Sequence, residues 1–160
     1  MHQGKVVSFY QDGSLDIIVH PGAVGILPVD QEGKLLLIRQ WRHPVQRDLL
    51  EIPAGCLEPS ESILDCAQRE LQEEAGVRAG TLIPLGGIYT APGFCTEYIH
   101  LFLAQDLLES SLPPDESEDI TVIPTTLEEA ERKAQSGDLC DGKTLTALYL
   151  YKLWLSHLTR

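Results

Sequence analysis

The sequence lacks any apolar run long enough to cross a bilayer. Its densest stretch, Leu35-Leu36-Leu37-Ile38, falls far short of the ~20 residues a spanning helix needs. It also lacks a paired-cysteine motif. Cys56, Cys66, Cys95 and Cys140 are scattered, with no CxxC among them, so neither a zinc knuckle nor a thioredoxin-like centre is expected. Reduced thiols in a cytoplasmic protein are the simplest reading. Basic residues are scarce, with 12 Lys and Arg against 24 Asp and Glu and a net charge of −12. That balance opposes binding to long nucleic acids and to anionic membranes, because both need a cationic surface. A small phosphorylated ligand, held through divalent cations, stays compatible with it. Residues 1–13 are polar where a secretory signal would need an apolar stretch. Internal repeats, low-complexity tracts and long linkers are missing too, and 160 residues favour one domain, 1–160. At 43% hydrophobic and 22% charged residues, the composition is that of a soluble globular chain able to bury a core without disulfides.

The first half reads as strands: Lys5–Phe9, a turn at Asp12-Gly13, Leu15–Val19, then Ala23–Val29 and Lys34–Trp41 around a Gln31-Glu32-Gly33 turn, and Leu49–Ile52. A helix follows, opened by Pro59 and Ser60 and closed by Gly76 as a left-handed cap residue. Leu64, Ala67, Leu71 and Ala75 are spaced to form its buried stripe. Strands are expected at Thr81–Tyr89, Tyr98–Ala104 and Ile120–Ile123, the last after an acidic loop from Pro113 to Glu118. Thr126 and Glu129 have capping-box spacing for a helix over Leu127–Ser136. Leu145, Leu148, Tyr151, Leu155 and Leu158 mark a last amphipathic helix. Strands mixed with three helices predict an α/β sandwich; periodicity alone does not fix the strand order.

The informative stretch is Arg69-Glu70-Leu71-Gln72-Glu73-Glu74-Ala75-Gly76. On a helix Glu70 and Glu74 lie only ~40° apart, with Glu73 ~60° to the other side of Glu70. Three carboxylates thus share one face, beside the apolar stripe. Like charges at this spacing destabilise a helix by a few tenths of a kcal/mol. They also sit near the C-terminus, where the macrodipole disfavours them. Within the helix only Arg69 is placed to offset them, by pairing with Glu73. Two readings remain: a solvated acidic face, or a site where a divalent cation supplies the missing charge. Oxygen-only ligands on a rigid element suit Mg²⁺ or Mn²⁺.

The surroundings favour the second reading. Gly55, five residues, Glu61, seven residues, and then Arg69 to Val77 resemble the signature of the Nudix hydrolases, Gx5Ex7REUxEExGU, at every specified position (a Nudix box over 55–77). The resemblance implies an α/β fold of the Nudix type: an α/β/α sandwich with a mixed β-sheet and a strand–loop–helix catalytic motif. It also implies metal-dependent hydrolysis of a nucleoside diphosphate linked to another group. Glu70 and Glu74 would be metal ligands, Glu73 a ligand or base helper, and Arg69 and Glu61 structural ties between loop and helix.

Further segments resemble the ADP-ribose pyrophosphatase branch. They are His20-Pro21-Gly22-Ala23-Val24 (HPGAV), Arg39 to Pro44 (RQYRxP), Leu50 to Gly55 (LEIPAG), Pro92-Gly93-Phe94 with Glu97 (SPGFxxE), and Asp141-Gly142-Lys143-Thr144 (DxKT). Pro92 stands sixteen residues beyond Gly76, a spacing that marks the branch. The Ala54 carbonyl would be a further metal ligand. Arg42 offers a planar fork to a phosphate oxygen, with a structural salt bridge as the alternative. Trp41 would stack on adenine or pack in the protein; Gly93 and Phe94 would form a substrate loop or a turn; Glu97 would accept hydrogen bonds from ribose hydroxyls or begin a strand. His43 and His100 read as structural. The acidic loop resembles the stretch carrying the branch's catalytic glutamate, which points to Glu118 first and Glu116 second.

The resemblance therefore implies a Mg²⁺-dependent enzyme, with Mn²⁺ as a substitute, cutting ADP-ribose to AMP and ribose 5-phosphate. It implies a homodimer as well, with the hairpin over 5–19 at the subunit contact. The alternatives are a Nudix hydrolase of another nucleoside diphosphate derivative, such as a nucleotide sugar or dinucleoside polyphosphate, and a non-catalytic ADP-ribose-binding module.

Overall fold

The glycine-bearing breaks become turns, and the strands between them assemble into three sheets. The computed structural model describes residues 2–113 and 119–158. In chain order the described elements are β1 (His2–Gln3), β2 (Ser8–Asp12), β3 (Leu15–Val19), β4 (Ala23–Pro28), β5 (Leu35–Arg42), β6 (Arg47–Glu51), β7 (Ala54–Cys56), α1 (Ile63–Glu74), β8 (Val77–Tyr89), β9 (Tyr98–Glu109), β10 (Ile120–Thr125), α2 (Leu127–Ser136) and α3 (Gly142–Leu158), with a short 3-10 turn at His43–Val45. The sheets run β1-β2-β3, β10-β5-β6 and β7-β4-β9-β8. β4 and β9 pair in parallel, whereas the other ladders are antiparallel, so the architecture is mixed α/β.

Strand β4 is buried along its whole length, and its alternation sorts the core. Val24 and Ile26 join Ala67 and Leu71 of α1 together with Phe102 and Ala104 of β9. Ala23 and Leu27 join Leu37, Ile52, Leu101, Leu103 and, from α3, Ala147, Leu148 and Tyr151. Successive strand residues point to opposite faces, so α1 covers one face of the four-stranded sheet while α3 and β5 cover the other. This is the expected α/β/α sandwich. Each large apolar side chain buried there contributes about 1.5–3 kcal/mol. The same strand positions the site, because β4 also pairs with β7, setting Val24 opposite Gly55 and Gly25 opposite Ala54.

Helix α1 starts later than the sequence suggests. Ser62, not Ser60, is its N-cap, with its hydroxyl accepting from the Asp65 amide. Ser60 has a left-handed φ of 68°, and the Glu61 amide donates to the Glu58 carbonyl, which closes a turn where the helix was expected. The stripe is rotated accordingly. Leu64 is exposed and Cys66 takes the inward place. Ala75 caps the helix and Gly76 follows at φ 67°, the left-handed conformation expected of it. Helix α2 has the expected bounds, with both halves of the Thr126–Glu129 capping box formed. β8 and β9 extend well beyond the expected strands because each supplies the other's hydrogen bonds over almost its full length. No described helix is long and apolar enough to cross a membrane.

Candidate active site

Along α1, Arg69 is the hub. Its Nε and Nη2 donate to the two carboxylate oxygens of Glu61 at 2.8 and 3.0 Å. Its Nη1 donates to Glu70 Oε1 at 2.6 Å and Glu73 Oε2 at 2.9 Å, and Nη2 also reaches the Cys56 carbonyl. The loop before the helix is thereby tied to both the helix and β7. Hydrogen bonding to Arg69 holds the Glu61 carboxyl down at about 2. Burial, reinforced by Glu61, pushes the Cys66 thiol up to about 12.

Two of the three helix carboxylates turn inward. Glu70 is 7% and Glu74 5% exposed, although a carboxylate is seldom buried without a partner. Glu74 Oε2 accepts the Ala54 amide at 2.8 Å. Gly55 lies so close to Glu70 that a Cβ there would fall 1.9 Å from Glu70 Oε1, so the absence of a side chain is what admits the carboxylate. The strand–turn–helix motif thus brings Ala54, Glu70, Glu73 and Glu74 together.

A second cluster stands across chain distance. Arg42 donates from Nε and Nη2 to the two oxygens of Glu51, both at 2.7 Å. Lys143 bonds Glu51 Oε2 as well and lies 3.2 Å from Asp141. Glu51 is 1% exposed. Burial opposes its ionisation, but the Arg42 and Lys143 bonds outweigh that and hold its carboxyl below the usual range. Hydrogen bonding to Glu51 raises the Arg42 guanidinium in turn. Asp141 accepts from the Thr144 amide and hydroxyl at the start of α3.

One groove of about 1360 Å³ touches both clusters, taking in Ala54, Gly55, Glu70, Glu73, Arg42 and Lys143. Glu97 and Tyr89 line it too. Glu97 Oε2 accepts the Thr90 hydroxyl at 2.7 Å. Among the described residues Trp41, Gly93 and Phe94 are not part of that wall. Trp41 is 43% exposed, with its ring edge-on to His43 at 6.3 Å, because alternation along β5 sends Trp41 and Arg42 to opposite faces. The Phe94 carbonyl accepts from the Ile18 amide, so that loop is tied to β3. Glu74 lies behind the groove surface, against β7. Glu116 and Glu118 lie outside the described residues.

Lys143, Tyr89, Glu51 and His20 also stand at or behind the groove, although no local pattern in the sequence marks them. Each stood within a quoted or expected segment. What reveals their place is pairing between residues far apart in the chain, such as Glu51 with Lys143, for which no local pattern exists.

The donor set fits a hard divalent cation. It is all oxygen, from carboxylates and one carbonyl, on a helix and a strand that are rigidly joined. Among the described residues no three such side chains close into a ready-made cage; here the Arg69 guanidinium bridges Glu70 and Glu73.

A family model, the NUDIX domain, matches residues 19–146. Over 161 aligned residues the chain is 40% identical to the ADP-ribose pyrophosphatase of Bacillus subtilis (strain 168), covering 94% of this chain and 87% of the relative. It is 36% identical over 145 residues to the methanol dehydrogenase activator of Bacillus methanolicus, covering 89% and 78%. A crystal structure of an ADP compounds hydrolase superposes with a TM-score of 0.80 over 99% of this chain and 98% of that one. At 22% identity, that likeness speaks for the fold.

Proposed function

The chain belongs to the Nudix family and is a pyrophosphohydrolase resembling the ADP-ribose pyrophosphatases, and from that premise we propose that it hydrolyses ADP-ribose and water to AMP and ribose 5-phosphate. The observation that carries the reading is the shared groove. Glu70, Glu73 and the β7 residues Ala54 and Gly55 line the same surface as Arg42, Tyr89 and Glu97. A diphosphate flanked by two sugars and a base needs all of these together.

Glu70, Glu73, Glu74 and the Ala54 carbonyl would hold Mg²⁺ or Mn²⁺. When bound, the cation supplies Lewis-acid stabilisation of the charge that builds on the diphosphate. Arg42 spends Nε and Nη2 on Glu51, which fixes its plane, and among the described residues Nη1 is left for a phosphate oxygen. Glu97 accepts hydrogen bonds from ribose hydroxyls. Tyr89, 62% exposed and braced edge-on by Tyr98 at 4.9 Å, offers the base an aromatic ring. That contact is the one the sequence suggested for Trp41. Glu118, or Glu116 in its place, orients the attacking water.

A homodimer is part of the reading, supported by the apolar residues Phe9, Leu15 and Val19 that the N-terminal sheet exposes; sedimentation velocity measures it. The substrate test is a panel of ADP-ribose, nucleotide sugars and dinucleoside polyphosphates, assayed with Mg²⁺ and with Mn²⁺. AMP and ribose 5-phosphate from ADP-ribose at the highest kcat/KM is the expected result. A higher kcat/KM on another member, or binding without turnover, overturns the assignment.

A further inference from the structure

We propose that His20 positions Glu97 in the groove, donating from Nε2 to its carboxylate in a tautomer that the Gly22 backbone fixes. This deepens the reading above and rests on Glu97 being a substrate-binding group.

The ring nitrogens of His20 have different partners. Nδ1 lies 3.1 Å from the Gly22 amide, which donates to it. A nitrogen that accepts a hydrogen bond carries no proton, so the neutral ring holds its proton on Nε2. Nε2 lies 3.4 Å from Glu97 Oε1 and 3.5 Å from Cys56 Sγ. The Nε2 proton thus faces the sulfur and the carboxylate together, and the carboxylate is the stronger acceptor of the two. The other oxygen, Oε2, takes the Thr90 hydroxyl. Glu97 is therefore held from both ends of its carboxylate, and its remaining lone pairs serve the groove it lines.

The backbone around His20 sets the ring in this place. The His20 amide donates to Thr96 Oγ1 at 2.9 Å, and the Thr96 amide donates to the Ile18 carbonyl at 3.0 Å. The His20 side chain is 10% exposed, so its direction is set by packing. At 3.4 Å the contact is long; its value lies in aiming the carboxylate more than in strength. Through Cys56 the same nitrogen also touches the strand that carries Ala54, which links the Glu97 side of the groove to the carboxylate side.

Two isosteres separate the functions of the two nitrogens. An Asn amide reaches the place of Nδ1 and a Gln amide reaches that of Nε2. The experiment measures kcat and KM for ADP-ribose in His20→Ala, His20→Asn and His20→Gln, alone and combined with Glu97→Ala, with thermal melts of every variant. We expect Ala and Asn to raise KM about tenfold, the size of one hydrogen bond to a charged group, with kcat within about twofold. Gln should restore KM to within about threefold, and no His20 variant should change KM further once Glu97 is Ala. Rescue by Asn instead of Gln overturns the inference in favour of a turn-capping role. An equal His20 effect in the Glu97→Ala background overturns it as well, and so does a wild-type KM in His20→Ala while Glu97→Ala raises KM. Unchanged KM in Glu97→Ala brings down the Glu97 reading and this inference together. Independently of turnover, the ring ¹⁵N shifts of His20 must report the Nε2–H tautomer; the opposite tautomer overturns the proposal.

Discussion

The Glu74 carboxylate accepts the backbone amide of Ala54, twenty residues earlier, at 2.8 Å. The end of an acidic helix is thereby fastened to β7, the strand that carries Ala54 and Gly55. A Glu74→Gln variant keeps an acceptor for that amide, so the fold should persist with its melting temperature within a few degrees of the parent. Turnover should fall at least about 100-fold, the upper end of what losing an outer contact around a metal costs. Unchanged kcat/KM in the presence of Mg²⁺ would remove the metal assignment.

Gly55→Ala separates packing from chemistry in a different way. The added Cβ would fall 1.9 Å from Glu70 Oε1, and the atom in its way is the tip of a flexible side chain. The carboxylate can swing aside at modest cost to stability, but it then leaves its place beside β7. We expect a folded protein whose activity drops about 100-fold or more. Circular dichroism and initial rates check both halves, and a fully active Gly55→Ala variant contradicts the role given to Glu70.

Glu51→Gln leaves Arg42 and Lys143 without their shared anion. Removing one partner of a buried ion pair costs about 3 kcal/mol, towards the low end of its range because Arg42 keeps some contact with water. Urea denaturation should show that loss in the midpoint with little change in slope. KM for ADP-ribose should also rise, since Arg42 loses the bidentate contact that fixes its plane.

Acid stability follows from Glu61. Its carboxyl sits at about 2 in the folded chain against an ordinary 4.5, so the unfolded chain binds the proton more readily. The stabilisation is complete above 4.5 and is lost as pH falls from there toward 2. Thermal melts across that window should decline for the parent and decline less for Glu61→Gln. Equal slopes would show that the Arg69 pairing contributes nothing to acid sensitivity.

What could be read from the residues alone was local. The capping box at Thr126 and Glu129, the left-handed Gly76 and the sharing of one face by Glu70, Glu73 and Glu74 depend on neighbours in sequence, and each has a definite chemical signature. Pro59 and Ser60 look like the opening of α1, whereas the Glu58–Glu61 turn and the Arg69 bond to Glu61 delay its start to Ile63. β2 begins at Ser8 rather than Lys5, since alternation gives a strand but no register, which its pairing with β3 sets. Trp41 and Tyr89 show the same limit. Both are plausible aromatic platforms, and only the assembled sheets tell which of them faces the groove. His20 with Glu97, and Glu51 with Lys143, are joined by the order of the strands, which no periodicity contains.

The Ile18 amide and carbonyl are hydrogen-bonded to Phe94 and Thr96, so the first hairpin and the segment bearing Glu97 are stitched by their main chains. Mechanically they are one flap. Force applied to the hairpin is delivered to the rim of the groove without passing through any side chain. The stiffness of that edge of the groove is then set by main-chain bonds rather than by the side chains that line it.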